Sequence, residues 1–173
     1  MTDQPPQPAA QVPGTLPAPP AKLPAFVTAF TIADLVFCSL RLILAGFSAI
    51  GFAMMEKGSP LYPTAGLEVI SGLGIALFGI PGNIMVLLKK PGGIPLCYLN
   101  VASTVLSLIV GVWQATILVG NTSGGAETVG ALFGGMVALV VRAILLVLYI
   151  AVVRMAQKHF SEAPSQRPYA LLG

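Results

Sequence analysis

Two arginines lie within otherwise apolar stretches of the sequence. Arg142 is near the middle of the stretch 128–153, and Arg41 is about ten residues into the stretch 31–55. An arginine at the centre of a membrane helix costs about 2.5–3.5 kcal/mol on insertion scales, so a group that offsets this cost is expected. Arg142 has two open interpretations: contact with an anion, a substrate or an acid of another subunit, or hydrogen bonds to neighbouring helices. Arg41 is closer to a membrane interface, which favours a structural role.

The third apolar stretch, 95–119, carries polar and small residues at helical spacing. They are called the polar stripe below and comprise Asn100, Ser103, Thr104, Ser107, Gly111 and Gln114. Lipid cannot satisfy such groups, so the stripe is expected to face other helices. Ser107 falls at about the depth of both arginines, and Asn100 at about the depth of Asn83. The stripe is therefore predicted to receive both guanidiniums through interhelical hydrogen bonds, worth about 0.6–2 kcal/mol each.

The acidic residues near the apolar stretches fit helix starts. Thr31-x-x-Asp34 matches a capping pattern, which places Asp34 in the first turn of a helix at the cytoplasmic interface. Glu68 and Glu127 are likewise expected in first turns, where a carboxylate complements the helix dipole. This assignment leaves no acid at the depth of the two arginines. An anionic lipid, a small anion or an acid of another membrane protein could supply the missing charge.

Residue types needed for catalysis or metal binding are scarce. The sole histidine is His159, and Cys38 and Cys97 form no CxxC pair. The apolar stretches contain no acids paired at one depth and no nucleophile beside a base. The sequence therefore predicts a protein that is not an enzyme and that has no cofactor, no metal site and no nucleic-acid partner.

The composition identifies the solvent of these residues as lipid. The chain is 55% hydrophobic and 9% charged, with a mean hydropathy of +0.87, whereas soluble domains carry about 25% charged residues. Four apolar stretches are present, at 31–55, 65–88, 95–119 and 128–153, and about 20 residues suffice to cross a bilayer. Short links make successive helices neighbours. The predicted fold is an all-α membrane protein, an antiparallel bundle of four transmembrane helices over 26–160.

The ends and turns of the chain set its predicted orientation. Residues 1–25 hold eight of the 15 prolines and are expected to be a disordered tail, and 161–173 form a short second tail. Six basic residues fall on one side, Lys22, Lys89, Lys90, Arg154, Lys158 and Arg167, whereas Lys57 stands alone on the other. By the positive-inside rule both termini are cytoplasmic.

Small residues at four-residue spacing predict close helix packing. Gly130 and Gly134 form one such pair in the fourth stretch, where Gly135 follows Ala131, and Gly72 precedes Ala76 in the second. The pattern leaves open whether the packing partner is the same bundle or another chain. Pro81, beside Asn83, is expected to kink the second helix.

The layout resembles a known group of proteins. A proline-rich tail, four spans and the basic turn Leu87-Leu88-Lys89-Lys90-Pro91-Gly92-Gly93 running into Tyr98-Leu99-Asn100 are similar to uncharacterised four-helix membrane proteins of bacteria, notably planctomycete-like ones. In that group the turn often carries an aromatic residue and an arginine after the glycine, which this chain lacks. The resemblance implies a bacterial cytoplasmic membrane and no particular activity.

Two functions are consistent with these features. The first is a non-enzymatic structural or interaction subunit that packs with other membrane helices or with its own copies. The alternative is a small solute or ion carrier or channel, formed by an oligomer and lined by the polar stripe.

Overall fold

Four long helices make up the part of the chain that the structure describes. The computed structural model describes residues 22–121 and 126–162, and only the backbone at 121, 126–129, 131–132 and 162. The helices are α1 (Ala25–Met54), α2 (Tyr62–Leu87), α3 (Gly93–Asn121) and α4 (Ala126–Glu162). Each contains a segment long and apolar enough to cross a membrane. The predicted all-α fold with four candidate spans is confirmed, whereas most of both predicted tails lies outside the described residues.

The helices extend beyond the predicted apolar stretches, mainly at the ends where the chain termini lie. α1 begins at Ala25, directly after Pro24, whereas the apolar stretch was expected to begin at 31. α4 continues to Glu162, past the predicted end at 153, through a polar last turn that includes His159. Hydropathy marks the part of a helix that suits lipid, and helical hydrogen bonding continues into the interface beyond it.

Each helix packs against the next one along the chain. Phe52 packs against Tyr62 in a tilted arrangement, with ring centroids 4.8 Å apart, beside the α1–α2 turn. Tyr98 near the start of α3 donates a hydrogen bond of 2.9 Å to Gln157 near the end of α4. α1 and α4 also meet, through the rings of Phe30 and Tyr149 at 6.4 Å. The contacts therefore close the four helices into one bundle.

One cluster of buried hydrophobic residues lies at one end of this bundle. It joins residues of all four helices, namely Val27, Val86, Ile94, Cys97, Tyr149, Val152, Val153 and Ala156. The outer surface is also apolar: Phe133, Phe47 and Val147 are 72%, 68% and 67% exposed. An apolar surface of this extent is unfavourable in water and suits a lipid environment.

Glycines allow close approach between α1 and α2 but not along α4. A Cβ on Gly72 would lie 3.2 Å from the Cβ of Ala45, so the predicted close packing occurs there. Gly130, Gly134 and Gly135 have no described atom outside their own helix within 4 Å of such a Cβ. Gly130, Gly134 and Gly135 of α4 therefore face no neighbouring helix among the described residues.

The second helix continues through its internal proline. α2 is one α-helix from Tyr62 to Leu87, with Pro81 inside it. It ends in a Schellman turn: Lys90 N–H donates to the Met85 carbonyl (2.8 Å), and Lys89 N–H donates to the Val86 carbonyl (2.9 Å). Lys89 adopts a positive φ of 57° at the position that usually holds glycine.

Candidate functional site

Three helices each carry two polar residues separated by seven positions. Seven residues are nearly two helical turns, so both members share a face and lie about 10 Å apart along the axis. The pairs are Asp34 and Arg41 on α1, Asn100 and Ser107 on α3, and Tyr149 and Arg142 on α4. Two polar levels result: an acid level with Asp34, Asn83, Asn100 and Tyr149, and an arginine level with Arg41, Ser107 and Arg142.

Asp34 is the centre of the acid level. Its Oδ2 accepts hydrogen bonds from Asn83 Nδ2 at 2.6 Å, from Asn100 Nδ2 at 3.4 Å and from Cys38 Sγ at 3.5 Å. Tyr149 donates its hydroxyl proton to Asn83 Oδ1 at 3.2 Å. These bonds link α1, α2, α3 and α4 around one carboxylate.

The predicted capping role of Asp34 is wrong. α1 begins at Ala25, so Asp34 lies in the third turn, and the first turn contains no acid. The Thr31 hydroxyl donates to the Val27 carbonyl of its own helix at 2.7 Å instead of capping a helix start. The helix starts two turns earlier than the pattern indicated, which carries Asp34 into the bundle.

The predicted first-turn position of Glu68 is also wrong. α2 begins at Tyr62, which places Glu68 in the second turn, and its Oε2 accepts a hydrogen bond of 3.0 Å from Gln114 Nε2. Gln114 therefore uses its amide on an acid of α2. The side chain of Glu127, at the start of α4, lies outside the described part of the structure.

A cavity of about 260 Å³ lies against both polar levels. Six of the residues singled out from the sequence line it: Asp34, Arg41, Asn100, Thr104, Ser107 and Arg142. Apolar walls come from α1 and α4, including Phe30, Phe37, Leu145 and Leu146. This volume is close to the lower end of the range for small-molecule sites, about 300–1,000 Å³. It is therefore large enough for a small solute or one headgroup.

The two arginines at this cavity have no hydrogen-bond or ion-pair partner among the described residues. Arg41 is 8% exposed, and its Cζ lies 5.5 Å from the ring centroid of Phe37. Within residues 22–121 and 126–162, neither guanidinium is within hydrogen-bonding or ion-pair distance of another residue that the structure describes. The polar stripe lies beside both arginines, since Ser107 shares their cavity, but the predicted hydrogen bonds to it are not formed.

One further polar atom is unsatisfied next to the same cavity. Asn100 is 2% exposed, and its Oδ1 is a buried acceptor without a hydrogen-bond partner among the described residues. Because a buried acceptor left unpaired costs roughly 1–3 kcal/mol, this atom favours a ligand or solvent donor.

A second and a third cavity continue from the arginine level toward the other end of the bundle. The second, of about 230 Å³, is lined by Arg142 together with Glu68, Gly111 and Gln114. The third, of about 280 Å³, also has Glu68 and Gln114 in its wall. Arg142 thus borders two cavities, and the polar stripe, from Asn100 to Gln114, provides one wall for both.

The charges around the first cavity favour an anion. Two guanidiniums and one carboxylate leave an excess of positive charge, and paired guanidiniums suit the oxygens of a phosphate or carboxylate. Among the described residues, no group of three His, Cys, Asp or Glu side chains could hold a metal ion.

Sequence reasoning missed two members of the acid level. Tyr149 and Cys38 were not singled out, although Tyr149 follows Arg142 by seven residues and Cys38 follows Asp34 by four. Helical periodicity could have placed both on the correct faces. Their partners lie on other helices and leave no local pattern.

Comparisons with known proteins give no family for this chain. No protein-family model matches it, and neither a curated protein nor a solved structure is significantly similar to it.

Proposed function

We propose that this protein is a small carrier that binds an anion inside its helix bundle. The observation that supports it is the pair of guanidiniums, Arg41 and Arg142, beside one cavity, with no acid of the described residues within ion-pair distance of either. Two unpaired charges are costly in lipid, and ionisable residues inside a membrane commonly mark ion or substrate pathways. A bound anion would offset that cost at both arginines at once.

The arrangement of cavities supports transport in addition to binding. Arg142 borders the first and second cavities, so one guanidinium can contact an anion on either side. The polar stripe supplies hydroxyl and amide groups along the same wall, as expected of a lining. Each of these cavities lies within a single chain, so the proposal does not require the oligomer that the sequence suggested.

The carrier is placed in a bacterial cytoplasmic membrane with both termini in the cytoplasm. The order of contacts supports an antiparallel bundle: Asp34 pairs with Asn83, and Phe52 pairs with Tyr62, so early residues of α1 meet late residues of α2. Exposed Lys89 and Lys90 fall at the same end as Lys22. The positive-inside rule assigns that end to the cytoplasm.

Flux measurements on reconstituted protein test the carrier. Purified full-length protein in proteoliposomes is expected to take up radiolabelled propionate faster than protein-free vesicles. Arg142→Gln should abolish the excess uptake, whereas Arg154→Gln, on an exposed position of the same helix, should retain it. Uptake that is equal in the wild type and in Arg142→Gln would overturn the proposal.

A second candidate function is an interaction subunit that packs with other membrane proteins or with its own copies. It is favoured by the open glycine face of α4, where Gly130, Gly134 and Gly135 meet no described neighbour. Small residues are enriched where membrane helices associate. Crosslinking in native membranes should then give a complex that Gly134→Leu disrupts. A single species in both proteins would exclude this function.

A further inference from the structure

We infer that the anion bound at Arg41 and Arg142 carries a hydroxyl group, which donates a hydrogen bond to Asn100 Oδ1. This inference rests on the proposed anion-binding function and adds the chemical class of the ligand. The proposed ligand is a carboxylate or phosphodiester that carries one negative charge and has a hydroxyl roughly 5 Å from its acid group.

The first support is the unpaired acceptor of Asn100. The residue lines the first cavity and is 2% exposed, and its Oδ1 has no partner. The hydrogen bonds of Nδ2, which include one of 3.8 Å to Cys38 Sγ, favour this orientation of the amide over the reversed one. Nδ2 already donates to Asp34 Oδ2 at 3.4 Å, and a reversed amide would place two acceptor oxygens against each other.

The second support is that three neighbouring donors hydrogen-bond to other acceptors. Tyr149 donates to Asn83 Oδ1 at 3.2 Å, and Asn83 donates to Asp34 at 2.6 Å. The Thr104 hydroxyl, in the cavity wall, donates to the Asn100 main-chain carbonyl at 2.9 Å. The donor for Asn100 Oδ1 is therefore expected from the ligand.

The third support is the spacing between this acceptor and the nearest cation. Side chains in a helix point toward its N-terminus, and the Cζ of Arg41 lies over the ring of Phe37, one turn back toward Asp34. Asp34 is hydrogen-bonded to Asn100, so about one turn, roughly 5 Å along the axis, separates the guanidinium from the acid level. A hydroxyl near an acid group spans this gap.

The charge of the site sets the charge of the ligand. Arg41 and Arg142 contribute two positive charges and Asp34 one negative charge around the same cavity. One negative charge on the ligand balances these three groups, whereas the carboxylate of Glu68 lines the second cavity beside Arg142. Carboxylates and phosphodiesters carry that charge, either as free solutes or as lipid headgroups.

Matched pairs of probes test the hydroxyl and separate the two sources. Glycerate against propionate tests a free anion, measured by equilibrium dialysis of the full-length protein in non-ionic detergent. Phosphatidylglycerol against phosphatidylpropanol tests a lipid, measured by native mass spectrometry. Each pair differs only in hydroxyl groups. The hydroxylated member of at least one pair should bind about tenfold more tightly, since an unpaired buried acceptor penalises the other.

Two variants separate this inference from the proposed function. Asn100→Leu should remove the preference while leaving propionate or phosphatidylpropanol bound; if that variant fails to fold, the comparison on the wild type decides alone. Arg142→Gln should weaken both members of the pair. If both members of each pair bind equally and Arg142→Gln still weakens them, the proposed hydroxyl contact is wrong and the anion site stands. No binding of any probe would overturn both.

Discussion

Arg41 on α1 and Arg142 on α4 line the same cavity, and among the described residues neither guanidinium has a hydrogen-bond or ion-pair partner. The arrangement differs from a structural network, in which buried charges are paired and hydrogen-bonded. The carboxylate of Asp34, which precedes Arg41 by seven residues in α1, accepts hydrogen bonds from side chains of α1, α2 and α3. The bundle therefore satisfies its acid and leaves its cations available.

Replacing Arg142 should stabilise the protein while removing anion binding. An unpaired arginine in lipid is costly, so Arg142→Gln is expected to raise the free energy of unfolding by about 1 kcal/mol or more. Arg154→Gln, at an exposed position of α4, should change it little. Reversible unfolding in mixed detergent micelles measures both. A clear loss of stability in Arg142→Gln would mean that this arginine holds the fold together.

Replacing Asp34 should have the opposite effect on stability. The side-chain amides of Asn83 and Asn100 donate to the Asp34 carboxylate at 2.6 and 3.4 Å, and Asp34→Ala removes this acceptor. The loss is expected to be about 2–4 kcal/mol, from two or three interhelical hydrogen bonds. Ser39→Ala is the matched control, because the exposed Ser39 bonds only to the Leu35 carbonyl of its own helix. Equal melting temperatures for the two variants would argue against Asp34 as the centre of the bundle.

The fold and part of the site could be predicted from the sequence because both follow from periodicity. Apolar stretches long enough to span a bilayer gave four helices, and their order is that of the structure. Helical spacing placed Asn100 and Ser107 on one face, and depth counting placed Ser107 level with the arginines. The structure brings these residues to one cavity.

The role of Asp34 could not be predicted, because two starts of α1 were locally plausible. The capping pattern at Thr31 favoured the later start, whereas the helix begins directly after Pro24. The hydrogen bond that fixes the position of Asp34 comes from Asn83, which is 49 positions away in the sequence. Its amide nitrogen lies 2.6 Å from the Asp34 carboxylate. The absence of hydrogen bonds between the arginines and the polar stripe could not be predicted for a similar reason. Depth alone does not reveal whether the polar stripe reaches a guanidinium or leaves a cavity beside it.

Two glycines should respond differently to the same substitution. A Cβ on Gly79 would overlap Cys38 Sγ and lie 2.9 Å from Asn100 Nδ2, so Gly79→Ala should lower stability by about 1–3 kcal/mol. Gly134 has open space around it, and Gly134→Ala should be neutral or stabilising by up to about 1 kcal/mol through helix propensity. Thermal unfolding in detergent gives both values. If Gly79→Ala were tolerated as well as Gly134→Ala, the crossing of α1, α2 and α3 would be looser than described.

The turn after α2 offers a stabilising substitution outside the membrane. Lys89 has a φ of 57°, which is unfavourable for a side chain with a Cβ, and Lys89→Gly should stabilise the protein by about 1 kcal/mol. Lys90→Gly removes the same charge from the neighbouring position, where φ is not positive, and should be neutral or destabilising. The difference in melting temperature between the two variants isolates the backbone term. A higher melting temperature for Lys90→Gly would contradict the left-handed turn.

The proposed topology predicts which engineered thiols are accessible from outside the cell. Lys57→Cys, in the turn between α1 and α2, should react with a membrane-impermeant maleimide added to intact cells. Lys89→Cys and Lys158→Cys should react only after the cells are lysed, since the positive-inside rule places both in the cytoplasm. The native thiols, Cys38 and Cys97, are buried and free, so the wild type gives the background. In the proposed topology α3 and α4 both cross the membrane between these two positions, so both thiols must lie on the same side. Labelling of Lys89→Cys and Lys158→Cys on opposite sides would therefore contradict the proposed topology.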